Sequence, residues 1–330
     1  MTRAFAFALI AAGLVAAAAA PGSRQGVAAQ EAAAAAQEGP VFRVGSDLVR
    51  VFVTVTDRDG RLVPSLRQAD FEVRDEGKPQ PITVFDNTPT PIQLIVMLDV
   101  SGSMQGNLPL LRNAARQLVS RLQEDDVARV GTFGKEITIS PEFTRDPATL
   151  VGALPQDIDR DALTPLWRAV SQAMAGFDEK ADRRKVVLVL SDGKDSGMTS
   201  FRERMVSPAE VIDKARAGEV MVYAIGLRSR MNRTAQPGLG PGGLQAALTA
   251  DLPDPGLARV AEETGGGYTE IRYGQDLGEA FAQVADELHS QYLLGFEPPK
   301  RDGKVHKIEV KVAQSGMKPR ARRTYVAPKD

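Results

Sequence analysis

The sequence predicts an α/β protein in which a doubly wound, mostly parallel sheet is inserted into a small β-sandwich. Continuous apolar runs at Ile92–Leu98, Val186–Leu190 and Val220–Ile225 are typical of parallel strands that helices cover on both faces. Amphipathic segments lie between these runs, which indicates alternating strands and helices. Short alternating strands near both ends of the chain are too few to be stable separately, so we expect them to pair with each other.

The first 29 residues have the three parts of a secretory signal peptide. Arg3 precedes an apolar run over Ala4–Ala20, and small residues lead to the cleavage expected after Ala29. An uncleaved anchor is the alternative, although the run is short for a span of about 20 residues. Residues 30–41, rich in Ala, Glu and Gln, are predicted to be a linker. We therefore expect the mature protein in the periplasm or the medium, without a later membrane span.

Two groups of short strands flank the α/β region and form the predicted sandwich. Residues 42–90 supply the first half, with strands at Val49–Val55, Phe71–Arg74 and Ile82–Phe85. Residues 290–330 supply the second half, with strands at Tyr292–Phe296 and Ile308–Val312 and a third that ends near Tyr325. The second half also contains a basic cluster, for which a solvated sheet face is favoured over a surface for acidic partners or phospholipid head groups. Its members are Lys307, Lys311, Lys318, Arg320, Arg322 and Arg323.

Residues 91–289 form the predicted α/β domain, and capping residues mark its helices. We expect helices to begin at Asn107, Thr164–Pro165, Ser207–Pro208, Asp254–Pro255 and about Asp276. Glu210 completes a capping box with Ser207, and Gly265 ends the helix that starts near Asp254. The stretch Arg228–Asp251, rich in Gly, Pro and Ala, interrupts this spacing and is predicted to be an exposed loop.

Composition excludes several kinds of site. The chain of 330 residues has no cysteine and only two histidines, which excludes thiolate chemistry and disfavours zinc sites built on imidazole. The formal net charge of −1 gives no general attraction to nucleic acid or to an anionic membrane. Any bound metal is therefore expected to be a hard cation with oxygen ligands.

Oxygen-bearing side chains follow two of the predicted buried strands. Asp99, Ser101 and Ser103 come directly after the first strand, and Asp192 ends the strand that begins at Val186. Ligands of open α/β sheets bind beyond the carboxyl ends of the strands, and Thr164, just before a helix, can reach the same edge. Two carboxylates and three hydroxyls form an all-oxygen set that suits Mg²⁺, with Mn²⁺ or Ca²⁺ as alternatives.

Each of these residues also has an ordinary explanation. Asp99 and the two serines could form hydrogen-bonded turns, and Thr164 is a good N-cap before Pro165. Asp192 belongs to a common Asp-Gly turn pair. Asp195 and Ser196 lie in the same loop, where a solvated position is favoured over one at the rim of the site. The metal site is favoured because the five positions occur together, in the expected order and strand context.

The pattern D-x-S-x-S, a later Thr before Pro, and S-D-G after a buried strand resembles the metal-ion-dependent adhesion site (MIDAS) of von Willebrand factor A (VWA) domains and integrin inserted domains. The resemblance covers Pro91–His289, and all five motif positions match. The flanking strands resemble those of exported bacterial members of this family. The sequence departs from the family pattern in the long Gly/Pro-rich loop after Gly226, which affects the expected shape of the ligand surface.

The resemblance implies a non-enzymatic adhesion module with a defined division of roles. Ser101, Ser103 and Thr164 are expected to contact the metal, while Asp99 and Asp192 act largely through water. An open coordination position would accept an Asp or Glu carboxylate from a protein or peptide partner. When the partner binds, Thr164 and Asp192 are expected to exchange direct and water-mediated roles, and the last helix is expected to shift.

Two other functions are compatible with the residues. In a haloacid dehalogenase-type phosphatase, Asp99 would be the nucleophile, and Asp192 and Asp195 would hold Mg²⁺. That family needs a second Asp two residues after the nucleophile as general acid, and Ser101 occupies this position. In a purely structural scaffold of an envelope assembly, the metal would stabilise the fold without binding a partner. The identity of the partner and the oligomeric state are open at this point.

Overall fold

A computed structural model describes residues 48–196, 204–228, 252–272 and 276–329. These residues belong to one compact unit, Gly45–Asp330. The expected signal peptide (residues 1–29) and linker (residues 30–41) lie outside the described residues, as does most of the predicted loop after Arg228. No helix of the described residues is long and apolar enough to cross a bilayer.

The chain starts with four short strands, continues with six strands of a central sheet, and ends with four more short strands. The first group is β1 (Val49–Thr56), β2 (Phe71–Asp75), β3 (Lys78–Gln80) and β4 (Val84–Asp86). The central group is β5 (Ile92–Asp99), β6 (Val127–Phe133), β7 (Ile137–Ile139), β8 (Arg184–Ser191), β9 (Val220–Leu227) and β10 (Tyr268–Ile271). The last group is β11 (Tyr292–Phe296), β12 (Val305–Val312), β13 (Lys318–Arg320) and β14 (Thr324–Val326).

The central sheet has the strand order β10-β9-β8-β5-β6-β7. All its neighbouring pairs are parallel except β6 and β7, which are antiparallel. Leu98 of β5 lies opposite Leu190 of β8, so the two strands end side by side. The residues after Leu98 and Leu190 therefore meet at one edge of the sheet.

Helices cover both faces of this sheet. They are α1 (Leu108–Val119), α2 (Pro147–Gly152), α3 (Leu166–Met174), α4 (Pro208–Gly218), α5 (Gly256–Thr264) and α6 (Leu277–Leu288). Helices α1, α2 and α6 pack with Leu94, Val96 and Leu98 on one face. Helices α3, α4 and α5 pack with Ile95 and Met97 on the other. The apolar runs are continuous because alternate side chains enter two separate cores.

The flanking strands form two antiparallel sheets with the orders β13-β1-β11-β4 and β14-β12-β2-β3. Both sheets combine strands from the two ends of the chain: Val51 pairs with Leu294, and Val73 pairs with Val310. The two sheets share one core, in which Tyr292 is fully buried. The predicted fold class, a doubly wound α/β sheet with a small β-sandwich from both ends, is confirmed.

Several elements differ from the sequence-based expectation. Strand β6 was not predicted because Arg129 and Gly131 interrupt its apolar pattern; its neighbour β7 and the edge strand β10 were not predicted either. Strand β3, Lys-Pro-Gln, has no alternating apolar pattern, and it forms because Glu76 and Gly77, both with positive φ, make a tight turn after β2. Strand β4 begins two residues later than the predicted Ile82.

The solvated sheet face expected for the basic cluster is wrong for Arg320 and Arg322, which are partly buried against the α/β region, whereas Arg323 is exposed. Arg320 forms an ion pair with Glu287 at the end of α6. Arg322 pairs with Glu219 at 3.1 Å, and Arg323 pairs with Glu262 and Glu263. These ion pairs therefore connect the β-sandwich to the helices of the α/β domain.

Candidate metal centre

The candidate site lies where β5 and β8 end. Asp99 is the last residue of β5, and Asp192 directly follows β8. After Asp99 the chain turns through a short 3₁₀ segment, Gly102–Met104, which brings Ser101 and Ser103 back over the strand end. A side chain at Gly102 would put its Cβ 2.0 Å from the carbonyl oxygen of Arg160, so this turn requires glycine.

Four of the five predicted residues form one hydrogen-bonded chain. Asp99 accepts the backbone N–H of Ser101 at 2.8 Å. The hydroxyls of Ser101 and Ser103 are 3.1 Å apart, and Ser103 donates to Oδ1 of Asp192 at 2.6 Å. On the other side, Ser191 donates to Oδ2 of Asp99 at 2.5 Å. Two strand ends and the connecting turn are thus joined by side-chain oxygens.

Thr164 lies across Gly193 from this chain. A Cβ built on Gly193 would be 3.2 Å from the Thr164 hydroxyl and 3.8 Å from the Ser103 hydroxyl, so the absence of a side chain at position 193 keeps the space between them open. Thr164 is not the N-cap of α3, because that position is occupied by Pro165. The N-cap explanation of Thr164 is therefore wrong.

Two carboxylates are buried at this edge, and the described residues offer them hydroxyl and backbone N–H donors. Burial raises the pKa of Asp99, and hydrogen bonds from Ser101 and Ser191 offset part of that shift. Burial raises the pKa of Asp192 to about 7; the hydrogen bond from Ser103 opposes this, and the charge of Asp99 adds to it. Oδ2 of Asp192 is buried and has no hydrogen-bond partner within the part of the chain that the structure describes. Among the ion pairs of the described residues, none includes Asp99 or Asp192.

This donor set fits a divalent cation. A buried carboxylate without a counter-charge is costly, and a cation at this place would offset the cost. Within the described residues no three His, Asp or Glu side chains converge as a metal cluster. The oxygens of Asp99, Ser101, Ser103, Thr164 and Asp192 would therefore hold the ion, with hydroxyls as the larger part of the set.

The structure adds two residues to the site that the sequence did not assign to it. Ser191 holds Asp99, and Ser196 accepts the backbone N–H of Thr164 at 2.8 Å. Asp195 accepts the N–H of Trp167 at 3.3 Å. Asp195 is half-buried, so the expectation of a solvated position is wrong for it, whereas Ser196 is exposed as expected. The sequence feature that could have pointed to Ser191 and Ser196 is the high proportion of small polar residues around Asp192. It does not show which residues they contact.

Comparison with known proteins gives the class of the domain. The family model described as von Willebrand factor type A domain matches residues 93–239. The chain therefore contains a VWA domain, and VWA domains are adhesion and protein-interaction modules. This confirms the family resemblance, while an intact MIDAS and export stay predictions. A search of curated proteins found no match.

Several solved structures are similar to the chain. A von Willebrand factor type A protein from Catenulispora acidiphila is 13% identical, with 86% of this chain and 74% of that chain covered and a TM-score of 0.44. An aerotolerance-related membrane protein from Bacteroides fragilis is 14% identical over 60% of this chain and 98% of that chain, with a TM-score of 0.40. Proximal thread matrix protein 1 from the mussel byssus, with a zinc-occupied MIDAS motif, is 18% identical over 66% of this chain and 50% of that chain, with a TM-score of 0.42. The chain thus spans about half the length of the mussel protein.

Proposed function

We propose that the chain is an exported, non-enzymatic binding protein that recognises a partner's carboxylate through one divalent ion. Asp99, Ser101, Ser103, Thr164 and Asp192 would hold the ion. The observation that most supports this proposal is the buried carboxylate pair, for which the described residues supply no counter-charge and leave Oδ2 of Asp192 without a hydrogen-bond partner. Mg²⁺ is the expected ion because hydroxyl and carboxylate oxygens suit hard cations; Mn²⁺ and Ca²⁺ are alternatives.

The residues of the site have different roles in this proposal. A bound divalent ion would supply an electrophilic coordination position for a partner's Asp or Glu. Ser101, Ser103 and Thr164 offer neutral oxygens, which leave the charge of an ion less compensated than carboxylates would. Asp99 and Asp192 provide negative charge at positions fixed by serine hydroxyls. The neutral donors thus favour an additional anionic ligand.

A protein or peptide partner is supported by exposed apolar side chains at the same edge. Leu163, which directly precedes Thr164, is 46% exposed, and Leu110 in the first turn of α1 is 57% exposed. Large apolar side chains beside polar contacts are common in protein interfaces. We therefore expect the partner to present its carboxylate beside an apolar residue.

The phosphatase alternative has less support. It needs an acid two residues after Asp99 to protonate a leaving group, and the hydroxyl of Ser101 has no useful acidity near neutral pH. Ser101 instead has its hydroxyl beside that of Ser103 and its N–H on Asp99. The scaffold alternative makes a different prediction, because metal binding would persist while partner affinity would not depend on it.

The proposal is tested by calorimetry with Mg²⁺, followed by pull-downs from envelope extracts in Mg²⁺ or EDTA. We expect the wild type to bind one ion and to retain a partner only in Mg²⁺. Asp99→Ala should lose both properties. Asp126→Asn is the matched control, because Asp126 is equally buried but lies at the opposite end of the sheet.

Three results would contradict this proposal. If the wild type binds no divalent ion, the proposed metal site does not exist. Equal partner retention with and without Mg²⁺, and by Asp99→Ala, would show that recognition does not use the ion. Turnover of a generic phosphomonoester that depends on Asp99 would favour the phosphatase.

A further inference from the structure

The loop that follows Asp192 is attached to the segment that contains Thr164 by two reciprocal hydrogen bonds. The backbone N–H of Thr164 donates to the Ser196 hydroxyl at 2.8 Å. The backbone N–H of Ser196 donates to the carbonyl oxygen of Thr164 at 2.9 Å. Both backbone groups of Thr164 are therefore engaged by the same residue.

Ser196 fixes the backbone of Thr164, whereas Pro165, the residue after Thr164, has no N–H to donate. Pro165 occupies the N-cap of α3 with φ −79° and ψ 59°, outside the helical region. The carbonyl of Thr164 also accepts the N–H of Leu166 at 2.9 Å, which links it to the first turn of the helix. The N–H of Thr164, however, has Ser196 as its partner.

The other end of the same loop is fixed as well. The N–H of Asp195 donates to Oδ2 of Asp254 at 3.0 Å, and Oδ1 of Asp195 accepts the N–H of Trp167 at 3.3 Å. Asp192, four residues before Ser196, is bonded to Ser103. The loop from Asp192 to Ser196 is therefore held by hydrogen bonds at Asp192, Asp195 and Ser196.

We infer that Ser196 is a positioning residue, which sets the Thr164 hydroxyl at the distance from Ser103 and Asp192 that ion binding requires. This inference rests on the proposed function. Replacing the residues that orient metal ligands typically lowers metal affinity by about 10- to 100-fold. Ser196 would act through Thr164 and would not touch the ion itself.

The test uses the Kd for Mg²⁺ of the purified protein, measured by calorimetry for Ser196→Ala and Ser196→Thr. Ser196→Ala removes the acceptor for the Thr164 N–H, and we expect Mg²⁺ affinity to fall by about tenfold. Ser196→Thr keeps the hydroxyl at an exposed residue, so its affinity should stay within about twofold of the wild type.

A matched control separates this effect from a loss of stability. Ser140 makes the same two bonds to Val130 in β6: its hydroxyl accepts the Val130 N–H at 3.1 Å, and its N–H donates to the Val130 carbonyl at 2.8 Å. Ser140→Ala should lower the Tm of the metal-free protein about as much as Ser196→Ala. Its Mg²⁺ affinity should equal that of the wild type.

A double-mutant cycle tests whether Ser196 acts through Thr164. In a Thr164→Ala background the ligand hydroxyl is absent, so adding Ser196→Ala should change the remaining affinity by less than about twofold. An undiminished tenfold effect in that background would overturn the inference, as would wild-type affinity in the single variant Ser196→Ala. If the wild type binds no divalent ion, the proposed function fails and the inference fails with it. If the wild type binds Mg²⁺ and Ser196→Ala binds it equally well, the metal site is supported and the positioning role of Ser196 is wrong.

Discussion

Buried aspartates at the two ends of the central sheet have different hydrogen-bond partners. At the amino end, Asp126 is 1% exposed and accepts hydrogen bonds from the N–H groups of Ile92 and Gln123 at 3.1 and 2.8 Å and contacts His289 Nε2 at 2.8 Å. Asp99 and Asp192 at the carboxyl end are 0% and 2% exposed, and their hydrogen-bond partners among the described residues are hydroxyls and a backbone N–H.

The pKa values follow this difference in partners. Burial raises the pKa of Asp126, but the hydrogen bonds from His289, Gln123 and Ile92 together outweigh it and hold the pKa below its usual value. At Asp99 and Asp192, burial dominates and the pKa is raised. The same residue type thus has opposite pKa shifts at the two ends of the sheet, because hydrogen bonds outweigh burial at one end and burial outweighs them at the other. Asp126 therefore has partners that offset its burial, whereas Asp99 and Asp192 have the environment that the proposed cation would compensate.

The amino end also joins the two parts of the molecule. Arg184, the first residue of β8, donates to the carbonyl of Leu288 at 2.6 Å and to the side chain of Gln291. Gln291 in turn donates to Thr54 of β1 at 2.8 Å and to Tyr223 of β9 at 3.1 Å. Burial lowers the pKa of Arg184 to about 10, which keeps it charged at neutral pH.

The largest effect on stability is expected at this amino-end network. Arg184→Met leaves the acceptors of Leu288 and Gln291 buried without their donor, and each hydrogen bond to a charged group contributes about 1.5–3 kcal/mol. We expect a loss of about 3 kcal/mol in the free energy of unfolding, measured by urea denaturation. Mg²⁺ affinity should not change. A parallel loss of Mg²⁺ affinity would show that the two ends are coupled and would break the comparison.

The second effect concerns the carboxyl end. At a Mg²⁺ concentration of about 100 times the Kd, the wild type should gain about 2.7 kcal/mol of stability, because only the folded state binds the ion. Asp192→Asn should lose this gain. In EDTA, however, Asp192→Asn should be at least as stable as the wild type, because it removes a buried carboxylate with an unpartnered oxygen. A metal-free Asp192→Asn that is clearly less stable would show that Asp192 is structural.

The same two ends show how much could be predicted from the sequence. The carboxyl end was predictable because parallel strands end at the same edge of the sheet, and Asp99 and Asp192 meet there because β5 and β8 are neighbours. The short D-x-S-x-S spacing then located Ser101 and Ser103. The sandwich could also be predicted, because neither group of flanking strands was sufficient alone.

The amino-end network could not be predicted. Asp126 and His289 are 163 residues apart, and Arg184 and Gln291 are 107 apart, with no local pattern that links them. The contact between Thr164 and Ser196 was missed for the same reason, because it joins two loops 32 residues apart. Such contacts depend on where helices and loops pack, which periodicity and caps do not specify.

The smallest expected effect is the pH dependence of the stability that Asp126 contributes at the amino end. Because the pKa of folded Asp126 lies below its ordinary value of 3.8, the folded state binds fewer protons than the unfolded state in this range. The stabilisation by Asp126 is therefore complete above that value and is lost as the pH falls through the folded pKa. Asp126→Asn should cost about 1.5 kcal/mol at pH 7. The difference from the wild type, measured by urea denaturation, should shrink below about pH 4. A difference that stays constant down to pH 3 would show that the charge of Asp126 does not matter, and that the amino end is stabilised by packing and not by the compensation described above.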